Sequence, residues 1–234
     1  MGDITGDTRL QSRILEDVGA ASHYRAWLVS LALDALGDEP VEIGSGHGDY
    51  AAEWLPHARS FTATDADESR VAFLKERFAG DSRVRVRKLL LPSTLDGGFS
   101  SAVAYNVLEH IPDDVAALRS MAAMVRPGGA VIVFVPAFPL LMSDFDRAVG
   151  HVRRYRRASL RKAFEDAGLR PRVLKHVNWA GFFAWLLMMR LLRGVPRDSL
   201  ALRTYDRLIV PAVRASERLM APPFGQSLLA IADV

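Results

Sequence analysis

Short β-prone runs alternate with helical stretches between Val41 and Val135, and this alternation is the strongest constraint on the fold. Val41–Ile43, Ser60–Thr64, Val84–Leu90, Phe99–Tyr105 and Ala130–Val135 read as strands. Residues 49–55, 68–78 and 113–124 read as the helices between them, with Pro112 and Arg126-Pro-Gly-Gly129 as punctuation. Strands and helices alternating at this spacing predict a parallel, doubly wound α/β sheet. The run AVIVFV (130–135) suits a strand covered on both faces. A helix at 158–168, a strand near 172–178 and a last strand at 226–232 continue the pattern.

Two segments stand outside this core. Residues 1–20 form an N-terminal arm with acids and no signal-peptide core, which predicts a cytoplasmic protein. Residues 177–224 form a helical insert that divides the core into 21–176 and 225–234. The insert has 13 uncharged residues from Val177 to Met189, short of the roughly 20 needed to cross a bilayer. Its readings are a core or homodimer helix, a lid over substrate, or a membrane-surface contact. The chain has no cysteine, which excludes disulfides, thiolate metal sites and cysteine nucleophiles. Only four of its 30 basic residues are lysines, and a local cluster runs from Arg147 to Lys162. Such a cluster fits a solvated helix start, an anionic small molecule or a nucleic acid.

The first strand runs into Gly44-Ser45-Gly46-His47-Gly48. Three alternating glycines let the backbone bend sharply and let a ligand approach closely. In an α/β sheet, this turn is where a nucleotide-like ligand lies, outside the carboxyl ends of the strands and at a helix N-terminus. The dinucleotide fingerprint G-x-G-x-x-G is broken by Asp49 in its third glycine position, and an aspartate there repels a diphosphate. Glu42 precedes the first glycine by two positions, which suits a cationic ligand better. Asp65 ends the second strand, where its two oxygens can accept both hydroxyls of a ribose.

VEIGSGHG, TATDAD, YNVLEHIPDD and VRPGGAVIVFVP, in that order, resemble the class I S-adenosylmethionine-dependent methyltransferases over roughly residues 20–175. The resemblance implies a seven-stranded, mostly parallel Rossmann-like sheet with a reversed last strand. It implies S-adenosylmethionine as cofactor and S-adenosylhomocysteine as product. Gly44, Ser45, Gly46 and Gly48 would line the methionine half, with Glu42 supporting its amino end. Asp65 and Ala66 would hold the ribose, and Asn106 and Val107 would close the site near the transferred methyl. Where the family often has an acid facing the adenine amine, this chain has Leu89 and Leu90, one or the other of which would pack on the adenine face.

A hydroxyl acceptor needs a base near the methyl. Glu109-His110 follows the fourth strand, and Asp146–Tyr155 (DRAVGHVRRY) follows the fifth. The D-x3-G-H-x-R-R-Y pattern resembles a loop in methyltransferases that act on small-molecule, glycan or lipid-linked acceptors. His151, His110, Asp146 and Tyr155 are therefore the catalytic candidates, and Arg153, Arg154 and Glu109 the candidates for holding the acceptor, anionic in one reading. Capping of the next helix by Glu109-His110, and anchoring of the loop by Asp146 and His151, are the structural alternatives. No metal is expected, although Asp144 and Asp146 with Asn106 or His110 could ligate a divalent ion. A nucleic-acid acceptor is disfavoured because the fourth strand ends in Asn106-Val-Leu-Glu109, without the signature of base-amine methylation. A nicotinamide-dependent oxidoreductase and a non-catalytic cofactor-binding module are the competing functions.

Overall fold

The computed structural model describes residues 21–187 and 200–234. The 1–20 arm and residues 188–199 of the insert lie outside the described residues. Seven strands form one sheet: β1 (Pro40–Ile43), β2 (Phe61–Asp65), β3 (Val84–Lys88), β4 (Phe99–Tyr105), β5 (Val125–Pro136), β6 (Pro171–Val177) and β7 (Ser227–Asp233), in the order β3-β2-β1-β4-β5-β7-β6. β1, β2, β3, β4 and β5 pair in parallel, and β7 runs antiparallel between β5 and β6. This is the class I Rossmann-like sheet with its reversed strand.

Burial explains the pattern. Every residue of β1 and β2 is buried, as befits central strands with helices on both faces. β3 is one of the two edges, and it carries Arg85, Arg87 and Lys88 at its exposed positions, which discourages pairing with another chain. One apolar layer packs Val41, Val131 and Leu228 against Leu118, Met121 and Phe164. The opposite layer packs Val103, Ile132 and Leu229 against Trp27, Trp54 and Leu74.

Several boundaries differ from the sequence reading. Tyr24, Trp27, Leu28, Leu31 and Ala35 at helical spacing predict one helix over 21–36, and the structure has two pieces, Ser22–Ser30 and Leu33–Leu36. β3 stops at Lys88, short of the expected Leu90, although the Leu89 amide still donates to the carbonyl of Asp65 at 3.0 Å. Arg126-Pro-Gly-Gly129 is not a separate turn but part of β5, absorbed by an irregularity that shifts the β4–β5 register between Phe99 and Ser101. In the insert, Trp179–Trp185 is helical, capped by Asn178, whose side chain accepts from the Gly181 amide. Residues after Leu200 form a helix that passes through a π turn at Tyr205–Ile209 into Val210–Leu219. The sequence over 199–220 predicts a helical stretch broken by Pro211, whereas the structure carries the helix through it. The wider π turn directly before it accommodates a residue with no N–H and a ring that crowds the preceding turn.

Candidate functional site

The site lies where the strand order reverses, between β1 and β4. The chain leaving β1 crosses Gly44, Gly46 and Gly48 at φ of +72°, +57° and +82°. Two of these glycines are required by space as well as by conformation. A Cβ on Gly44 would sit 2.6 Å from Val107 Cγ2, and one on Gly48 would sit 2.8 Å from Leu74 Cδ2. Gly44 is exposed at the strand ends, whereas Ser45 and Gly46 are buried. Ser45 locks the turn to β2: its amide donates to the Thr64 carbonyl at 2.7 Å and its hydroxyl accepts from the Thr64 amide at 3.1 Å.

Asp65 holds the turn from the other side. One carboxylate oxygen accepts from the Gly46 amide at 3.0 Å, and the other accepts from the Asp67 amide at 2.9 Å. Each oxygen keeps a second lone-pair direction for a ligand hydroxyl. Burial raises the Asp65 pKa, opposed by these amides and by Arg70, whose Nη1 lies 3.9 Å away. Asp67 caps the helix Glu68–Arg77 by accepting from the Ser69 and Arg70 amides, which fixes the segment carrying half-buried Ala66 and Arg70. Glu42 is buried beneath the turn with Oε2 lacking a hydrogen-bond partner among the described residues, and burial pushes its pKa up to about 8. A buried, unsatisfied carboxyl beneath a glycine cradle fits a ligand that brings a positive group. Asp49, which breaks the dinucleotide fingerprint, is bound to Arg77 at 2.8 Å.

Across the switch point, Asn106 is exposed and sits at φ +54°, a left-handed conformation that non-glycine residues seldom adopt away from special sites. Its amide donates to the Phe134 carbonyl at 2.8 Å, which anchors it between β4 and β5. Val107 packs against Gly44 and so joins the two sides. Leu89 is buried and Leu90 exposed, so only Leu90 offers a free face.

The one-turn helix Leu108–His110 and the loop from Asp146 to Tyr155 close on each other. The Val152 amide donates to the Glu109 carbonyl at 2.9 Å. This brings Glu109, His110 and His151 together: one ligand atom from each lies within 4.8 Å of the others. The two imidazoles meet edge to face at 4.6 Å, and His151 Nε2 lies 3.7 Å from a Glu109 oxygen. Glu109 is fully buried, neither of its oxygens has a hydrogen-bond partner among the described residues, and burial lifts its pKa to about 7 against the opposing pull of His151. Burial, with the neighbouring His151, lowers His110 to about 4.

Three expected roles change. Asp146 is buried, and accepts from the Ser143 hydroxyl and amide, from His151 Nδ1 at 3.0 Å and from Arg154 Nη2 at 2.7 Å. Burial alone would raise its pKa; those donors outweigh burial and hold it well below the usual carboxylate range, so it stays ionised and positions His151. Arg154, expected to meet the acceptor, is buried with Nε and Nη2 on Asp146 and Nη1 on the Ala137 carbonyl, and its guanidinium lies 4.7 Å from the Trp185 ring centroid. Tyr155, expected to be catalytic, is buried with its hydroxyl 2.8 Å from Asp114, and burial raises its pKa. It is a core residue that pins the loop. Arg153 remains at the rim, half-buried, tied to Asp114 and to the Pro112 carbonyl. Asp144 is exposed and pairs with Arg147, so Asp144 and Asp146 form no common ligand set.

Sequence reasoning missed Arg70, which stands beside Asp65 and also acts electrostatically on His110, and Asp114, which fixes Tyr155 and Arg153. It also missed that the insert covers the loop: Trp185 stacks edgewise on Phe145 and donates to the Leu141 carbonyl at 3.1 Å.

Residues 41–131 match a family described as a methyltransferase domain. A probable S-adenosylmethionine-dependent methyltransferase of Mycolicibacterium smegmatis is 30% identical over 146 residues, 59% of this chain and 54% of the relative. The ubiquinone biosynthesis O-methyltransferase of Xanthomonas oryzae is 31% identical over 120 residues, 49% of each chain. This chain thus spans about half the length of the curated relatives it matches. Among solved structures, an S-adenosylmethionine-dependent methyltransferase from Mesorhizobium loti superposes with a TM-score of 0.61 at 16% identity, covering 88% of this chain and 96% of that one. The geranyl diphosphate C-methyltransferase of Streptomyces coelicolor, solved with Mg2+, geranyl diphosphate and S-adenosylhomocysteine, superposes with a TM-score of 0.60 at 18% identity, covering 88% and 78%. At these identities the structures speak to the fold.

Proposed function

We propose that this chain is an S-adenosylmethionine-dependent methyltransferase that moves a methyl group to an oxygen or nitrogen of a small-molecule, glycosyl or lipid-linked acceptor. The observation that carries the reading is the glycine cradle flanked by two buried carboxylates. Asp65 keeps acceptor capacity for a ribose diol, and Glu42 keeps an orphaned oxygen for an ammonium group. The methyltransferase domain matched over 41–131 contains both. The cofactor supplies an electrophilic methyl on a sulfonium, and its leaving group departs neutral.

The chain's own residues then have two tasks. Gly44, Gly46 and Asn106 shape the cofactor's methionine end and bring it to the end of β4. The cluster of Glu109, His110 and His151 handles the acceptor's proton. His151 is suited to this, because Asp146 accepts from its Nδ1 and leaves Nε2 on the side of Glu109. Oxygen as the acceptor atom is supported by the O-methyltransferase relative. An apolar acceptor is supported by the aromatic side chains Phe138, Phe182, Phe183 and Phe224, which pack together beside the loop.

The comparisons give no support to the nicotinamide-dependent or non-catalytic readings. Among the described residues no helix is long and apolar enough to cross a membrane, so contact with a lipid-linked acceptor would be made from the surface. The test is a panel of phenolic, sugar and prenyl-linked acceptors with methylated product read by mass spectrometry. A product that forms with wild type and falls at least a hundredfold with His151→Ala is expected, since general bases contribute about that much or more. Cofactor binding without product from any acceptor class would overturn the enzymatic reading.

A further inference from the structure

We propose that Glu109, His110 and His151 form a binding site for a divalent transition-metal ion, placed to activate a hydroxyl of the acceptor. The inference rests on the methyltransferase reading for its purpose, and on the cluster's geometry alone for its existence. Two imidazoles and one carboxylate converge, with one ligand atom from each lying within 4.8 Å of the others. Around an ion bound at about 2.0–2.2 Å, such atoms stand about 3–4 Å apart, so only small side-chain rotations are needed.

Both histidines are held from behind. His151 Nδ1 is 3.0 Å from Asp146, whose carboxylate is fixed in turn by Ser143 and Arg154. Nδ1 therefore carries a proton, and Nε2, 3.7 Å from a Glu109 oxygen, is the ring atom left for an ion. His110 hydrogen-bonds the Gly150 backbone, which ties its ring to the same loop. A carboxylate behind a ligating imidazole is the usual support of a metal site. Glu109 adds the independent sign of a missing partner: it is fully buried, and both oxygens lack a hydrogen bond among the described residues. A buried carboxyl group in that state is costly unless a cation or a ligand meets it.

The donor set selects the ion. Imidazole nitrogens favour zinc, copper, nickel and iron over magnesium, calcium and manganese, and three protein ligands leave positions open for an acceptor. The site follows directly on Asn106 and Val107, so it borders the place assigned to the methyl. An ion there lowers the pKa of a nearby acceptor hydroxyl. The hydroxyl proton passes to solvent, a C–O bond forms, and the S–CH3 bond breaks with its electron pair left on sulfur, giving methyl ether and S-adenosylhomocysteine. With an ion in place, His151 Nε2 is a ligand and not a base.

The experiment uses the full chain, stripped with chelator and titrated with Zn2+ and with Co2+. Expected are one ion per chain by elemental analysis, a visible Co2+ absorption band of a nitrogen–oxygen site, and affinity at least about tenfold weaker in His110→Ala, His151→Ala and Glu109→Gln. Circular dichroism and S-adenosylhomocysteine calorimetry on the same variants report whether each still folds and still binds cofactor. Stripped wild type that binds S-adenosylhomocysteine but gives no Co2+ band overturns the metal site and leaves the methyltransferase reading intact. Equal ion affinity in folded His151→Ala also overturns it. A protein that binds the ion but no S-adenosylhomocysteine keeps the site and removes the methyltransferase reading.

Discussion

Gly44→Ala probes the centre of the cradle, and the structure sets its size. The new Cβ would lie 2.6 Å from Val107 Cγ2, and the backbone would have to hold φ at +72° with a side chain attached. The left-handed conformation costs about 1–2 kcal/mol for a residue with a Cβ. Relieving the overlap adds about 1–3 kcal/mol, the usual range for overpacking. The total of about 2–5 kcal/mol corresponds to a fall in Tm of roughly 5–15 °C for a chain of this length. Val107→Ala alone removes two half-buried methyl groups and costs about 1 kcal/mol. In the double variant the overlap is gone, so the pair should be about 1–3 kcal/mol more stable than the sum of the single changes. Affinity for S-adenosylhomocysteine should behave differently and stay low in the double variant, because the added methyl still occupies the ligand's side of the turn. Denaturant melts of the four proteins with parallel calorimetry make the test. Additivity within about 0.5 kcal/mol would refute the Gly44–Val107 contact, and full recovery of affinity would refute the placement of the ligand against Gly44.

Three further outcomes follow from single contacts. Asp146→Ala leaves Arg154 buried without its anion, and should cost about 3–5 kcal/mol in a thermal melt, with turnover falling because His151 loses its anchor. Tyr155→Phe removes a hydroxyl bonded to Asp114, and should cost about 1 kcal/mol while methyl transfer stays within about twofold of wild type. Glu42 has its folded pKa raised from 4.5 to about 8, so the folded state holds a proton that the unfolded chain has released. Its contribution to stability is therefore complete below pH 4.5 and is lost as pH rises toward 8. Glu42→Gln should gain on wild type across that window in pH-dependent melts. Cofactor binding near pH 7 should also release close to one proton, read by calorimetry in buffers of different ionisation enthalpy.

The sheet was legible because its strands are bounded by strong local signals. β4 was read over Phe99–Tyr105, its observed extent, and the core alternation from Val41 to Val135 matches the observed order. Arg126–Gly129 was misread because Pro-Gly-Gly is the same local signal whether it closes a turn or bends a strand, and only pairing with β4 decides. The glycine turn was legible for the same reason as β4: its positions and Asp65 are tied by chain geometry to one sheet. The cluster around Glu109 was not. Its members were each noticed, but His110 and His151 are far apart in sequence, and the bond from Val152 to Glu109 that brings them together leaves no local trace. Arg153, Arg154 and Tyr155 were all read as residues that meet the acceptor or act on it, whereas in an irregular segment Arg154 and Tyr155 turn inward to Asp146 and Asp114. A run of arginines says that charge is present and not which of it is already paired.

The central claim is that the cradle between Glu42 and Asp65 binds S-adenosylmethionine. Isothermal calorimetry of S-adenosylhomocysteine against wild type and Asp65→Ala tests it most directly, with circular dichroism to confirm folding. Two hydrogen bonds to a charged carboxylate, at about 1.5–3 kcal/mol each, predict binding by wild type and at least a hundredfold loss in the variant. A wild-type protein that does not bind, or a folded Asp65→Ala that binds as well, would contradict the account.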